Sequence, residues 1–180
     1  RHSSSAASDV YKRQFLCISS IATWSQGLDE LISRAKQKTS EGNYASAIED
    51  LSKAINEDSE NLSAHLYRAQ AYMMNEDFES SVSDYDVVLS KITNRADIFI
   101  DRGSVLQKLG KFTEAIVDFD NAISIDQKNT QAFMNRGFAK RELDDLDGAC
   151  EDWRQSKKLG NSEAKICLLY TSDAADELCR

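Results

Sequence analysis

The sequence repeats itself with a period of 34 residues. Four consecutive blocks align with no insertion between them, over residues 28–61, 62–95, 96–129 and 130–163. The eighth position of each block is small: Ala35, Ala69, Gly103 and Gly137. The twenty-fourth position is large: Leu51, Tyr85, Phe119 and Trp153. A fixed period of this length indicates a stacked array of similar units, since each unit buries its apolar side only against a neighbour.

The apolar spacing inside each block predicts two helices joined by a turn. Positions 4, 7, 8 and 11 share one helical stripe, and positions 20, 24 and 27 share a second. Small residues at position 20 would let the two helices approach closely: Ala47, Ser81, Ala115 and Ala149. Glycine at position 15 in two blocks, Gly42 and Gly110, fits a turn with positive φ. We therefore expect an all-α fold in which the side chain at position 24 fills the space between the helices.

This pattern resembles the tetratricopeptide repeat, and the resemblance covers residues 28–163. It implies a right-handed α-solenoid of antiparallel helix hairpins, whose first helices line a concave groove. The chain departs from the family in one respect: members often carry proline at position 32, whereas this sequence contains no proline. We expect polar residues there to end one helix and cap the next.

In the resemblance, positions 2, 5, 9, 12 and 13 face the groove. The residues that we predict to bind a partner there are Ile32, Lys36, Leu66, Gln70, Met73, Ile100, Ser104, Gln107, Lys108, Met134, Phe138 and Arg141. Exposed apolar side chains in a groove favour capture of a peptide, and methionine adapts to different ligands. The expected function is that of a non-catalytic scaffold that binds a protein or peptide segment. The alternative is that several of these apolar side chains pack between neighbouring repeats.

An arginine and an aspartate recur in every block. Position 7 is Arg34, Arg68, Arg102 and Arg136. Position 23 is Asp50, Asp84, Asp118 and Asp152. The two positions lie at similar height in an antiparallel hairpin, so we predict that each arginine reaches an aspartate of its own repeat or of the adjoining one, over a partly buried edge. The alternative is that the four arginines line an anion-binding groove.

Family members that bind the acidic C-termini of chaperones use a clamp of lysine, asparagine and arginine side chains. The positions matching that clamp from the first repeat are Ile32, Lys36, Tyr67, Asp97 and Asp101. From the second repeat they are Leu66, Gln70, Asp101, Gln131 and Asn135. Neither set resembles the clamp, so chaperone-tail binding is not expected.

Composition and motifs argue against several other functions. The net charge of −8 disfavours nucleic acid, whose phosphates are bound by clustered cations. No run approaches the roughly 18 apolar residues of a transmembrane helix. His65 is expected to be a packing residue, and the stretch 144–148 fails as a calcium loop because Leu143 would occupy the first ligand position. Cys150, the only cysteine within the blocks, is expected to be a small buried residue outside any disulfide framework. No catalytic residue, cofactor or metal is predicted.

The two ends of the chain have a separate interpretation. Residues 1–14 and 167–180 resemble one sequencing adapter translated on opposite strands, so both are expected to be artefacts. Residues 15–26 resemble the distal half of a secretory signal peptide, which predicts export to a bacterial envelope; the alternatives are a packed N-terminal helix and a cytoplasmic protein. Residues 164–166 would begin a capping helix that the adapter interrupts. The repeats could also be a fragment of a larger protein, including a multidomain enzyme.

Overall fold

A computed structural model describes residues 27–164, and every regular element within that range is helical. The first helix, α1, covers residues 27–40. It is followed by α2 (Tyr44–Glu57), α3 (Leu62–Met74), α4 (Phe78–Leu89), α5 (Ala96–Lys108), α6 (Phe112–Ile125), α7 (Thr130–Glu142) and α8 (Leu146–Lys158). The predicted adapter ends, the signal-like segment and most of the expected capping helix lie outside the described residues.

The helices follow the 34-residue blocks. Helices α3, α5 and α7 begin at the first residue of the second, third and fourth blocks. Helices α2, α4, α6 and α8 all begin at position 17 of their blocks. The prediction of an all-α helical-repeat fold is confirmed.

Each block turns between its two helices at position 15, where the backbone enters the left-handed region. Gly42 and Gly110 have φ values of 78° and 73°, as glycine at this position predicts. The equivalent residues of the other two blocks, Glu76 and Asp144, both have φ of 62°. In all four blocks the N–H of position 16 donates to the carbonyl of position 11, at 2.8–3.0 Å. This bond belongs to the Schellman ending of a helix, which requires a left-handed residue just before it.

Polar residues cap several helices in the absence of proline. The side chains of Asn61 and Asn129, at position 34 of their blocks, accept from the N–H groups of Ala64 and Ala132 at the starts of α3 and α7. Asp77 and Asp145 cap α4 and α8 in the same way. Each cap satisfies a backbone donor that has no partner within its own helix.

The chain divides into two compact units, residues 27–71 and 72–164. The core of the first unit lies between α1 and α2, and its buried residues include Leu28, Ile32, Ala35, Ala47, Leu51 and Ala54. In the second unit, Phe119 fills the space between α5 and α6, and Trp153 fills the space between α7 and α8. Both aromatic side chains are fully buried.

The small residue at position 8 is what makes room for the aromatic ring at position 24. A Cβ atom added to Gly103 would lie 2.7 Å from Cε1 of Phe119. One added to Gly137 would lie 2.7 Å from Cδ1 of Trp153. Real Cβ contacts are essentially never this short, so these two blocks require glycine where the first two carry alanine. In both blocks the side chain at position 24 fills the space between the helices, as expected.

Candidate functional site

The predicted arginine–aspartate pairs of the first, third and fourth blocks are bidentate. Arg102 donates from Nε and Nη2 to Asp118, at 2.8 and 2.6 Å. Arg136 donates to Asp152 in the same way, at 2.9 and 2.5 Å, and the two bonds from Arg34 to Asp50 measure 2.7 and 2.9 Å. The three aspartate side chains are at most 3% exposed, whereas the arginines are more accessible. Asp84 is also buried.

The arginines at position 7 also bond to position 25 of the preceding block. Arg102 donates from Nη1 to Asp86, and Arg136 donates from Nη1 to Asp120, each at 2.5 Å. In the first unit, Arg68 donates from Nη1 to Oγ of Ser52 at 3.1 Å. Arg102 and Arg136 thus reach both their own repeat and the adjoining one, the two possibilities that the 34-residue pattern left open. Position 25 was missed, although an oxygen-bearing residue recurs there in three blocks.

In two of these pairs the aspartate also binds the lysine at position 11 of the same block. Lys38 Nζ lies 2.7 Å from Asp50, and Lys140 Nζ lies 2.9 Å from Asp152. The hydrogen bonds from Arg34, aided by those from Lys38, hold the pKa of Asp50 well below its usual range. At Asp118 burial outweighs the hydrogen bonds from Arg102 and raises the pKa of the carboxyl group. These guanidinium groups are engaged by carboxylates, which leaves little support for an anion-binding groove.

The predicted groove residues of the first unit differ in their exposure. Ile32 is buried in the core of α1 and α2, while Leu66 and Gln70 are half-buried. Lys36 is exposed, and its Nζ lies 4.0 Å from the centre of the Tyr67 ring. Ile32 therefore packs inside the protein.

In the second unit, hydrogen bonds join α5 to α7 through predicted groove residues. Gln107 donates from Nε2 to the backbone carbonyl of Asn135 at 2.9 Å. Asn135 donates from Nδ2 to Oγ of Ser104 at 3.2 Å. We call this surface the α5–α7 face, and it comprises Ser104, Gln107, Lys108, Asn135, Phe138 and Arg141. Its buried neighbours Ile100 and Met134 are 4% and 6% exposed. Ile100 is therefore a packing residue, and Met73, at the start of this unit, is half-buried.

Phe138 is the aromatic residue of the α5–α7 face. Its ring meets that of Trp153 edge-on, with centroids 5.5 Å apart. The guanidinium of Arg141 lies 5.3 Å from the centre of the Phe138 ring and also pairs with Glu142 at 2.6 Å. Phe138 remains half-buried, so part of the ring is available to a partner. Because Trp153 fixes one side of the ring, Phe138 offers a positioned apolar contact.

A cavity of about 890 Å³ opens beside Phe138. We call it the α7 cavity, and its lining residues are Thr130, Gln131, Met134, Asn135, Phe138 and residues 159–163. Met134, Phe138 and Leu159 supply the apolar part of the lining, and the polar part consists of carboxamide and hydroxyl groups and the carboxylate of Glu163. A cavity of this size, with apolar walls and a few polar groups, has the dimensions of a ligand site.

The described residues contain no cluster of histidine, cysteine, aspartate or glutamate suited to a metal ion. His65 is buried, with Nε2 3.2 Å from the carbonyl oxygen of Ser59, which agrees with a packing role. Cys150 is fully buried, but it is disulfide-bonded, so the expectation that it stands outside any disulfide is wrong. None of the helices between residues 27 and 164 has the length and apolar character to cross a membrane.

Comparisons with known proteins agree with the repeat pattern. The family model of the tetratricopeptide repeat matches residues 96–129, which form the third block. MamA (41-end) from Desulfovibrio magneticus RS-1 is a similar solved structure, with a TM-score of 0.71, 14% identity, and coverage of 73% of this chain and 75% of that one. A tetratricopeptide repeat protein from Parabacteroides merdae has a TM-score of 0.72 and 20% identity, over 78% and 57% of the two chains.

A third solved structure contains a bound peptide. It is the first TPR of Spaghetti (RPAP3) bound to the HSP90 peptide SRMEEVD, with a TM-score of 0.63, 22% identity, and coverage of 67% of this chain and 95% of that one. No curated protein sequence matches the chain at a significant level. The family match assigns the third block to the tetratricopeptide repeat, and the solved structures share the helical-repeat fold of the chain.

Proposed function

We propose that the chain is a non-catalytic scaffold that binds a peptide or protein segment on the α5–α7 face. The observation that carries this proposal is the α7 cavity beside the half-buried ring of Phe138. A partner side chain entering the cavity would meet Met134 and Phe138, while the surrounding carboxamides would hydrogen-bond the partner's backbone. Burial of apolar surface at one or two such points supplies most of the affinity in peptide recognition.

The polar part of the α5–α7 face supports peptide binding. Gln107 donates to the backbone carbonyl of Asn135, and the Asn135 side chain donates to Ser104, so both carboxamide side chains are held in place. A carboxamide both donates and accepts hydrogen bonds, which matches the two groups of a peptide bond. Groups that are already ordered lose little conformational entropy when a partner binds.

The predicted groove residues contribute unequally to this proposal. Ile32 and Ile100 are buried, so we exclude them as anchors. Met134 contributes as a cavity wall, and Phe138 is the main anchor contact. Lys36, Leu66, Gln70 and Met73 remain candidate contacts, and export to a bacterial envelope also remains a proposal, because the segment that suggests it lies outside the described residues.

The partner is not expected to be an acidic chaperone tail. The HSP90 peptide of the related structure carries two consecutive glutamates and ends in aspartate. In this chain two of the clamp positions on α5 are the carboxylates Asp97 and Asp101, which would repel such a tail.

Selection from a displayed library of random twelve-residue peptides would test the proposal. We expect the wild-type chain to enrich peptides that share an apolar residue, and we expect those peptides to lose binding to a Phe138→Ala variant. Val117→Ala is the matched control, because Val117 is 55% exposed on α6 and does not line the α7 cavity. Melting temperatures of both variants would exclude unfolding as the cause. Failure to enrich any peptide that depends on Phe138 would refute the proposal.

A further inference from the structure

We propose that the α7 cavity selects a peptide in which a lysine or arginine lies next to the apolar anchor, with the cation paired to Glu163. This inference rests on the proposed function, since it assigns the chemistry of the partner that the cavity receives. The inference concerns only the charge of the partner beside its apolar anchor. The chain can bind a peptide through Phe138 even where this charge preference is absent.

The charge of the lining is the first observation. Among the described residues that line the α7 cavity, Glu163 is the one with a charged side chain, and it is exposed. The others are apolar or carry hydroxyl and carboxamide groups. A ligand with an anionic group would therefore meet a carboxylate with no lining cation to offset it, whereas a cationic group would meet a counter-ion.

The position of Glu163 is the second observation. Its backbone N–H donates to Oδ1 of Asn161 at 3.0 Å, which fixes the turn after α8 that forms one wall of the cavity. The facing wall is α7, which contributes Gln131, Met134 and Phe138. Because Glu163 lines the cavity and is exposed, its carboxylate is within reach of a cation on the peptide residue next to the anchor.

The nearby cation is the third observation. Arg141 is on the same face as Phe138, but Glu142 pairs with its guanidinium at 2.6 Å, and the Phe138 ring lies under it. Its charge is thus largely offset locally. The chain as a whole carries 30 acidic against 22 basic residues, so its long-range field also attracts cationic segments.

The peptide selection described above tests this inference when it is repeated with Glu163→Lys. Glu151→Lys is the matched control, because it makes the same charge change at an exposed residue of α8 that lines a different groove. We expect the wild-type chain and the control to enrich lysine or arginine beside the apolar anchor. The Glu163→Lys variant should lose that enrichment while keeping the apolar anchor.

Titration of one selected peptide, with its cation changed to glutamate in a second version, gives the size of the effect. We expect the glutamate version to bind the wild type about threefold to fivefold more weakly, as for one exposed ion pair, and we expect added salt to reduce the difference. With Glu163→Lys the order should reverse. Peptides that depend on Phe138 but show no cation preference, or a preference that Glu163→Lys leaves unchanged, would overturn this inference alone. Absence of any Phe138-dependent peptide would overturn the proposed function with it.

Discussion

Asp118 on α6 accepts two hydrogen bonds from Arg102 on α5, at 2.8 Å from Nε and 2.6 Å from Nη2. Nη1 of the same guanidinium donates to Asp86 on α4 at 2.5 Å. One side chain therefore bonds three consecutive helices and spans the boundary between two repeats. Arg136 does the same for α6, α7 and α8 through Asp120 and Asp152. This arrangement fixes the stacking of neighbouring hairpins by directional contacts as well as by apolar burial.

Replacing Arg102 with methionine should destabilise the chain substantially. Asp118 would remain buried without its counter-ion, and burial already raises the pKa of its carboxyl group. We expect a loss of about 3 kcal/mol in the free energy of unfolding, measured by urea denaturation. The pair of Arg95 with Asp97 is exposed on both sides, so Arg95→Ala should cost only ~0–1 kcal/mol. A double-mutant cycle of Arg102→Met with Asp118→Asn that shows no coupling would contradict the structural role of the pair.

Glycine at position 15 should stabilise the two blocks that lack it. Glu76 and Asp144 adopt φ of 62°, which costs a residue with a side chain about 1 kcal/mol relative to glycine. We expect Glu76→Gly and Asp144→Gly each to raise the free energy of unfolding by up to about that amount, less the backbone entropy of glycine in the unfolded chain. Gly110→Ala is the reverse substitution and should destabilise. Loss of stability in both glycine variants would mean that Glu76 and Asp144 make contacts that outweigh the backbone strain.

Adding one methyl group at Gly103 should disrupt the packing of α5 on α6. The new Cβ would lie 2.7 Å from Cε1 of Phe119, and that ring is fully buried. We expect Gly103→Ala to cost about 1–3 kcal/mol in thermal or urea unfolding. Gly27→Ala is the control, because a Cβ there meets no atom within 4 Å. Phe119→Leu should be less destabilising in the Gly103→Ala background than in the wild type; equal costs in both would argue against a direct clash.

The sequence alone predicted contacts between positions that recur at a fixed spacing. The aspartate at position 23 bonds the arginine at position 7 in the first, third and fourth blocks. The side chain at position 24 fills the space between the helices in the third and fourth. The sequence did not predict which members of the apolar stripe are covered by the neighbouring hairpin. Ile32 and Ile100 occupy the same position as Leu66, yet they are buried and Leu66 is half-buried. That difference depends on packing between helices, which periodicity within one helix does not specify.

The 34-residue pattern also did not predict the α7 cavity. Met134 and Phe138 were predicted as groove residues, but Asn161 and Glu163 lie in the loop after α8, where no helical period applies. The left-handed conformations of Glu76 and Asp144 could have been inferred, because Gly42 and Gly110 occupy the equivalent turn. The role of position 25 could have been inferred in the same way. Ser52, Asp86 and Asp120 all occupy it, and each accepts a hydrogen bond from the arginine at position 7 of the following block.

The ion pair of Arg34 with Asp50 should make the free energy of unfolding depend on pH in the acid range. Asp50 is 3% exposed and accepts hydrogen bonds from Arg34 and Lys38, which lower the pKa of its carboxyl group. A carboxylate whose pKa is lower in the folded chain than in the unfolded chain stabilises the folded state at pH values above the unfolded pKa of about 4. This contribution is lost as the pH falls through the folded pKa. The wild type should therefore exceed Asp50→Asn in the free energy of unfolding at pH 7, and the difference should shrink as the pH is lowered from about 5 to 2.

Urea denaturation at a series of pH values would measure that difference. Glu49→Gln, an exposed neutralisation on the same helix, corrects for the general change in net charge. Because protonated Asp50 resembles asparagine in charge, the wild type and Asp50→Asn should approach each other in stability as the pH falls. A difference that stays constant from pH 7 to pH 2 would show that Arg34 and Lys38 do not favour the ionised form of Asp50 in the folded chain.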